Sequence, residues 1–500
     1  MQTSSVSLYQ SLLPGISNVT VRFRYYGLYA WLSSVYVRRP GATDDPKAWQ
    51  RFIRRAEALY ALTAAHDGEE SGVAGITWAE KAYNAAEDEI AFADAAEPGG
   101  EGSKYLRQAW GAYGAAYASQ LYVMDIYSEA ELHDLPVPSE EVGEALAEAF
   151  ESALGDVAPR FVAAIDRGSV TLGELADFAV MLPSGIETTS HERQLYEDAL
   201  FCRLEGMSEE GVERRQTLQL VLEVALQLER RPSVGDIRWI LYSGYVEEDT
   251  PLMVPGELEA CRRAWWVYQL NDLSHAAFSM LFQCLLENLE GDPNGLPLGV
   301  LIANVIDKLR DEVDEWPSSW SEHLERTLPV DNAASPEPGA ERRFSDDMMR
   351  RAKKGESCTP QAAWEALELL AVLHQRARRQ RHDVEVCLDG PRVDVFRSVL
   401  SETRFLDGCL DEPFESTLWR LFEERIVQRH FWVALQKLRH QGEYTYRLEV
   451  DEGRVRARDP SGPAPTNPRL APALDFLEDI NLLDPEGVTA DGMRCIEGLV

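Results

Sequence analysis

Apolar residues recur at three- and four-residue intervals through most of this 500-residue chain. That spacing builds amphipathic helices, because strand side chains alternate faces with a period of two. The clearest early case is 47–66, where Trp49, Phe52, Ile53, Ala56, Leu59 and Tyr60 form one stripe, with Asp45 placed to cap it and Pro46 at its first position. The longest is 255–289, whose seam reads Leu258, Cys261, Trp265, Tyr268, Asp272, His275, Phe278, Phe282 and Leu285. Further helical patterns fall at 104–126, 140–166, 171–182, 190–204, 209–230, 234–242, 298–315, 345–354, 360–380, 391–403 and 412–441. No period of 20 to 50 residues repeats among them, which argues against a solenoid. Alternation appears near the end, where 444–450 and 454–458 flank Asp451-Glu452-Gly453 and predict a β-hairpin. The expected fold is mostly α and multi-domain, with a small α+β module at the C-terminus.

Breaks in composition divide the chain further. A Gly-rich stretch at 98–103 closes an acidic, alanine-rich run, and 328–342 is rich in Pro and Ala with no apolar period. The expected organisation is 1–97, a central helical domain at 104–327, a linker at 328–342, a helical domain at 343–441 and a hairpin-containing module at 442–500.

Charge is distributed unevenly. The chain carries 84 Asp and Glu against 49 Lys and Arg, a net −35, spread along its length. Such a surface repels nucleic acid and anionic membranes. Residues 20–55 run the other way: Arg22, Arg24, Arg38, Arg39, Lys47, Arg51, Arg54 and Arg55 face only Asp44 and Asp45. Tyr25, Tyr26, Tyr29 and Trp31 are interleaved with these arginines. Arg with aromatics serves protein interfaces, stacks on exposed bases, or lines a protein's own core. On the helical wheel Arg51, Arg54 and Arg55 fall opposite the apolar stripe and are expected on a basic outer face.

Catalytic signatures are missing: the chain has no GxxxxGK[ST], HExxH or GxSxG, and no GxGxxG after a strand. The seven cysteines are odd in number and widely spaced, which points to reduced thiols rather than disulfides or structural zinc. No run approaches the roughly 18 apolar residues of a membrane span. A cytoplasmic protein without metal or cofactor is expected. Asp272 and His275, three apart in an apolar seam, are the most suggestive polar pair, close enough to meet. They are read as a polar pair satisfied within a helix bundle, with an enzyme using the two residues, with or without a metal, as the alternative.

Two stretches carry resemblances. LPGISNVTVRFRYYGLYAWL followed by RRAEALYAL is similar to the openings of uncharacterised bacterial proteins encoded near antiviral defence genes. PRLAPALDFLEDINLLDPEGVTADG resembles the recognition helix and wing of a winged-helix domain, which would put Arg469 at the start of the helix that such families bring to DNA. Asp475, Glu478, Asp479, Asp484, Glu486 and Asp491 make that helix and wing acidic, a poor match for phosphate and better suited to a protein partner. The reading is a non-enzymatic scaffold or adaptor subunit with protein partners. Its alternative is a nucleic-acid-binding protein using the N-terminal patch, aided by Arg454, Arg456 and Arg458 on the hairpin.

Overall fold

The computed structural model describes residues 1–39, 41–99, 102–128, 135–247, 250–289, 292, 294–327, 340–388 and 397–498. Helices carry the fold, and the sheets of the described residues have two or three strands each. The chain forms two compact units, each assembled from separated stretches: Met1–Tyr9 with Gly235–Asn467, and Gln10–Val234 with Pro468–Val500. Among the described residues no helix is long and apolar enough to cross a membrane.

The unit built on Gln10–Val234 is organised around the helix Arg24–Arg38, buried on nearly every face and packed against Gly143–Leu154. Beside it runs Pro46–Asp67, where the Asp45 side chain accepts from the Lys47 amide at 3.0 Å and Gly68 ends the helix at φ 80°. A left-handed terminal residue suits glycine, which lacks the Cβ that would clash there. The Gly-rich break at 98–103 does not separate domains. Arg54 donates to the carbonyls of Ala96 at 2.5 Å, Leu106 at 3.0 Å and Gln108 at 2.5 Å, so one helix ties down both sides of the break.

The other unit centres on Glu259–Glu287, packed on Pro360–Arg379. The expected hairpin forms from Leu448–Asp451 and Arg454–Ala457, closing at Asp451 and Arg454, and Leu296–Pro297 adds a third strand. The expected module at 442–500 is therefore divided. Its hairpin completes a sheet in this unit, whereas Leu470–Asp479, a two-residue hairpin and Ala490–Glu497 belong to the first-described unit, where Phe476 packs at 4.9 Å from Phe23. Most of the expected linker, 328–339, lies outside the described residues. Ala340 already begins a helix, and the buried Glu341 on it pairs with Arg376. The helix expected over 412–441 is interrupted: Phe414–Arg420 passes into a π-helical turn at Leu421–Val427 before Gln428–Gln441.

Candidate functional site

The N-terminal basic and aromatic residues are largely interior. Arg24 is fully buried, with two parallel 2.9 Å bonds to the Glu192 carboxylate and two 2.6 Å bonds to the carbonyls of Val180 and Leu182. Arg22 reaches Asp479 and Glu70, each at 2.9 Å. Tyr26 donates to the Gly15 carbonyl at 2.7 Å, Tyr29 to Glu57 at 2.7 Å, and the Tyr25 hydroxyl accepts from the Ala74 amide at 3.2 Å. Trp31 is buried against Phe150. Arg54, expected outside, is fully buried because the loop carbonyls described above solvate its guanidinium. Only Arg51 is exposed on that helix face, and Arg55 is half-buried, 3.8 Å from Glu97. These aromatics and arginines thus build a core, and the local positive charge is met by carboxylates distant in sequence.

The C-terminal arginines are dispersed. Arg454 donates to the Gly295 carbonyl at 2.7 Å and Arg456 pairs with Asp451 at 3.1 Å. Arg469 caps its helix in a left-handed conformation, φ 62°, and donates to the Leu13 carbonyl at 3.2 Å. The acidic helix that follows is held by arginines of its own unit. Asp479 accepts from Arg22 and from the Phe23 amide at 2.7 Å, and Arg231 lies on Glu478 and Asp475.

Asp272 and His275 are not bonded to each other. The Asp272 carboxylate accepts from Arg238 at 2.9 Å and from the Thr466 hydroxyl at 2.8 Å, partners from two other elements that draw it away from the imidazole. Burial raises its pKa despite Arg238. Among the described residues, no three His, Cys, Asp or Glu side chains gather where they could share a metal ion.

His275 instead opens onto a cleft of about 560 Å³ that adjoins a recess of about 190 Å³. The helix Glu259–Glu287 supplies His275, Ser279 and Phe282, spaced four and three apart so that they share one face. The opposite wall is Arg429, His430, Val433 and Lys437, entered through the π-helical turn that presents Arg425 and Ile426. Such turns re-phase a helix and are frequent at functional sites. Tyr444, Tyr446, Arg447, Arg458 and Asp459 close the wider side.

The polar groups of this cleft divide by whether the protein already uses them. Arg425 binds the buried Glu402 carboxylate at 2.9 and 3.0 Å, and Arg429 pairs with the same group. Burial opposes the charge of Glu402, but Arg429 and Arg425 outweigh it and hold its pKa below the ordinary value. Asp459 is turned onto Ser461, accepting its amide at 3.0 Å. The Arg447 amide donates to His430 Nε2 at 2.9 Å, which fixes that imidazole as neutral with its proton on Nδ1. Burial, reinforced by Arg447, lowers the His430 pKa to about 4. His275, Ser279 and Lys437 make no side-chain hydrogen bond or ion pair with any described residue. Burial lowers the His275 pKa to about 3, so it too faces the cleft neutral.

The sequence signalled part of this site, because His275 interrupts an apolar seam and Arg458 stands in the hairpin. Lys437, Ser279 and His430 carried no signal, since each sits in an ordinary amphipathic helix. The chain matches no protein-family model, and neither a curated protein nor a solved structure is detectably similar to it.

Proposed function

We propose that this chain is a binding component, a scaffold or adaptor subunit of a multiprotein bacterial assembly, acting in the cytoplasm without catalysing a reaction. The supporting observation is the helix Gln428–Gln441, in which only Ala434 is buried. Its outer side carries Trp432, 45% exposed, and Leu438, 37% exposed, beside the half-buried Phe431 and Leu435. Leaving this surface in water forgoes about 25 cal/mol per Å² of apolar area. Tryptophan is also a frequent anchor of protein interfaces. The likeness of the opening residues to proteins encoded near defence genes favours antiviral defence as the setting, and free cysteines suit a reducing compartment.

The test is affinity capture of the tagged chain from its native host beside a Trp432→Ala, Leu438→Glu variant and an Arg51→Glu control. A protein recovered stoichiometrically by wild type and control, and lost from the double variant, supports the reading. Equal recovery by all three removes this surface from it.

Nucleic-acid binding is the second reading, favoured by the exposure of Lys47 and Arg51 on one helix and of Arg454 and Arg456 on the hairpin. Counterion release would make such binding fall steeply with rising salt. Salt-independent association would exclude it.

A further inference from the structure

We propose that the cleft between the helices Glu259–Glu287 and Gln428–Gln441 binds a free nucleotide, with its phosphates at Lys437, Arg447 and Arg458 and its base in the adjoining recess. The site is chemically divided in a way that suits a ligand with one anionic and one flat apolar end. Arg447 and Arg458 stand on the wider side, and Lys437 lines both compartments. Their positive charge is compensated only in part. Asp459 on the same wall is turned onto Ser461 and attracts Arg447. Arg447 bonds the Ser461 carbonyl at 3.0 Å, Arg458 lies 3.9 Å from Glu449, and Lys437 Nζ engages no described residue, so three cations face one lining carboxylate. In a chain of net charge −35, a cleft with this surplus is an attractive well for an anion that the rest of the surface repels.

The recess differs in character. Phe278, Phe282, Ile426 and Val433 line it, and the arginines there that meet Glu402 are already committed to that carboxylate. An aromatic base is the flat apolar body that such walls accept, because it stacks on rings at little cost in ordering. Phe282 already packs against the His430 ring, 4.7 Å between centroids and tilted by 43°.

Where the compartments join, His275 and Ser279 offer a ring N–H, a ring nitrogen and a hydroxyl with no partner among the described residues. Both are half-buried at the cavity wall, where ligand pockets place the few polar groups that orient a bound molecule. The edge of a nucleobase presents both kinds. The volumes suit a small molecule: the cleft lies in the roughly 300–1,000 Å³ range of ligand pockets.

The experiment is isothermal titration of the full chain with adenosine and guanosine triphosphates, the two nucleosides, inorganic pyrophosphate and a single-stranded octadeoxynucleotide. Lys437→Glu, Ser279→Trp and a charge-matched control at an exposed lysine outside the cleft, Lys81→Glu, are titrated in parallel after circular dichroism has shown native helicity. The expected result is binding of at least one triphosphate, weakened at least about tenfold by Lys437→Glu through charge repulsion and by Ser279→Trp through steric filling, and unchanged in the control. The nucleosides and pyrophosphate, each holding half of the recognition, should bind at least about tenfold more weakly. Failure of both triphosphates to bind, pyrophosphate binding as tightly as they do, preference for the octanucleotide, or indifference to Lys437→Glu would each overturn the proposal.

Discussion

Arg24 and Glu192 meet as two parallel forks, with both N–H···O distances at 2.9 Å and both side chains buried. The remaining Arg24 nitrogen is taken by two carbonyls, and Glu192 also accepts from the Tyr196 hydroxyl at 2.9 Å, so neither charge is left unsolvated. Removing one partner strands the other in a dry interior. Arg24→Ala is expected to destabilise its unit by about 3–5 kcal/mol, measured by urea unfolding. Arg24→Lys should recover only part of this, because an ammonium cannot reproduce the fork. Equal stability of Arg24→Lys and wild type would contradict this geometry.

Neighbouring arginines on the helix Pro46–Asp67 should behave oppositely. Arg54 neutralises three loop carbonyls, so Arg54→Ala leaves buried acceptors unpaired and should cost about 3 kcal/mol. Arg51→Ala, at an exposed site, should fall within about 0.5 kcal/mol of wild type. Chemical denaturation of the two variants checks the contrast, and comparable losses would refute it.

That contrast also shows what could be read from the sequence. The helix Pro46–Asp67, its Asp45 cap and its apolar stripe are local signals, and the hairpin at 448–457 is equally local. The fate of Arg54 is not local, because the wheel places it with Arg51 and Arg55 and only a loop some 50 residues later supplies its carbonyls. The cleft was half legible for the same reason. His275 stood out against its own helix, whereas Lys437 and Arg447 acquire meaning only when their segments fold back onto that helix.

Acid should move the two units in opposite directions. His275 has its pKa lowered to about 3, and His323, His374 and His430 to about 4, burial being the first cause in each; all four lie in the unit containing Gly235–Asn467. Below about pH 6.5 the unfolded chain takes up protons that the folded unit refuses, so stability is lost as pH falls through that window. At pH 5 each imidazole accounts for about 2 kcal/mol, partly offset by Glu365, Glu368 and Asp272, whose pKa values are raised. In the other unit burial raises the Asp479 pKa to about 6 and also raises those of Glu57 and Asp475. There the folded state holds the extra proton, so stability is gained as pH falls, by about 1 kcal/mol at pH 5 from Asp479 alone. Calorimetry at pH 7 and pH 5 should show one thermal transition moving down and the other moving up or holding. A common downward shift would contradict the assignment.

The Glu57 carboxylate offers a sharper test, because both of its oxygens are committed to backbone donors. Oε2 accepts from the Ala112 amide at 3.1 Å and from the Tyr105 hydroxyl at 2.7 Å, while Oε1 accepts from the Tyr113 amide and the Tyr29 hydroxyl, each at 2.7 Å. A backbone N–H cannot reverse its role, so whichever oxygen becomes the amide nitrogen of glutamine points a donor at a donor. Glu57→Gln, nearly identical in volume, is therefore expected to cost about 2 kcal/mol. The packing beside it is equally closed: a Cβ on Gly111, whose φ is 60°, would meet Glu57 Oε2 at 2.0 Å. Gly111→Ala should destabilise the same unit, and Glu57→Gln combined with Gly111→Ala should lose less than the sum of the two, since both disturb one set of bonds. Urea unfolding of the three variants measures the coupling, and strict additivity would show that Gly111 does not act through the carboxylate.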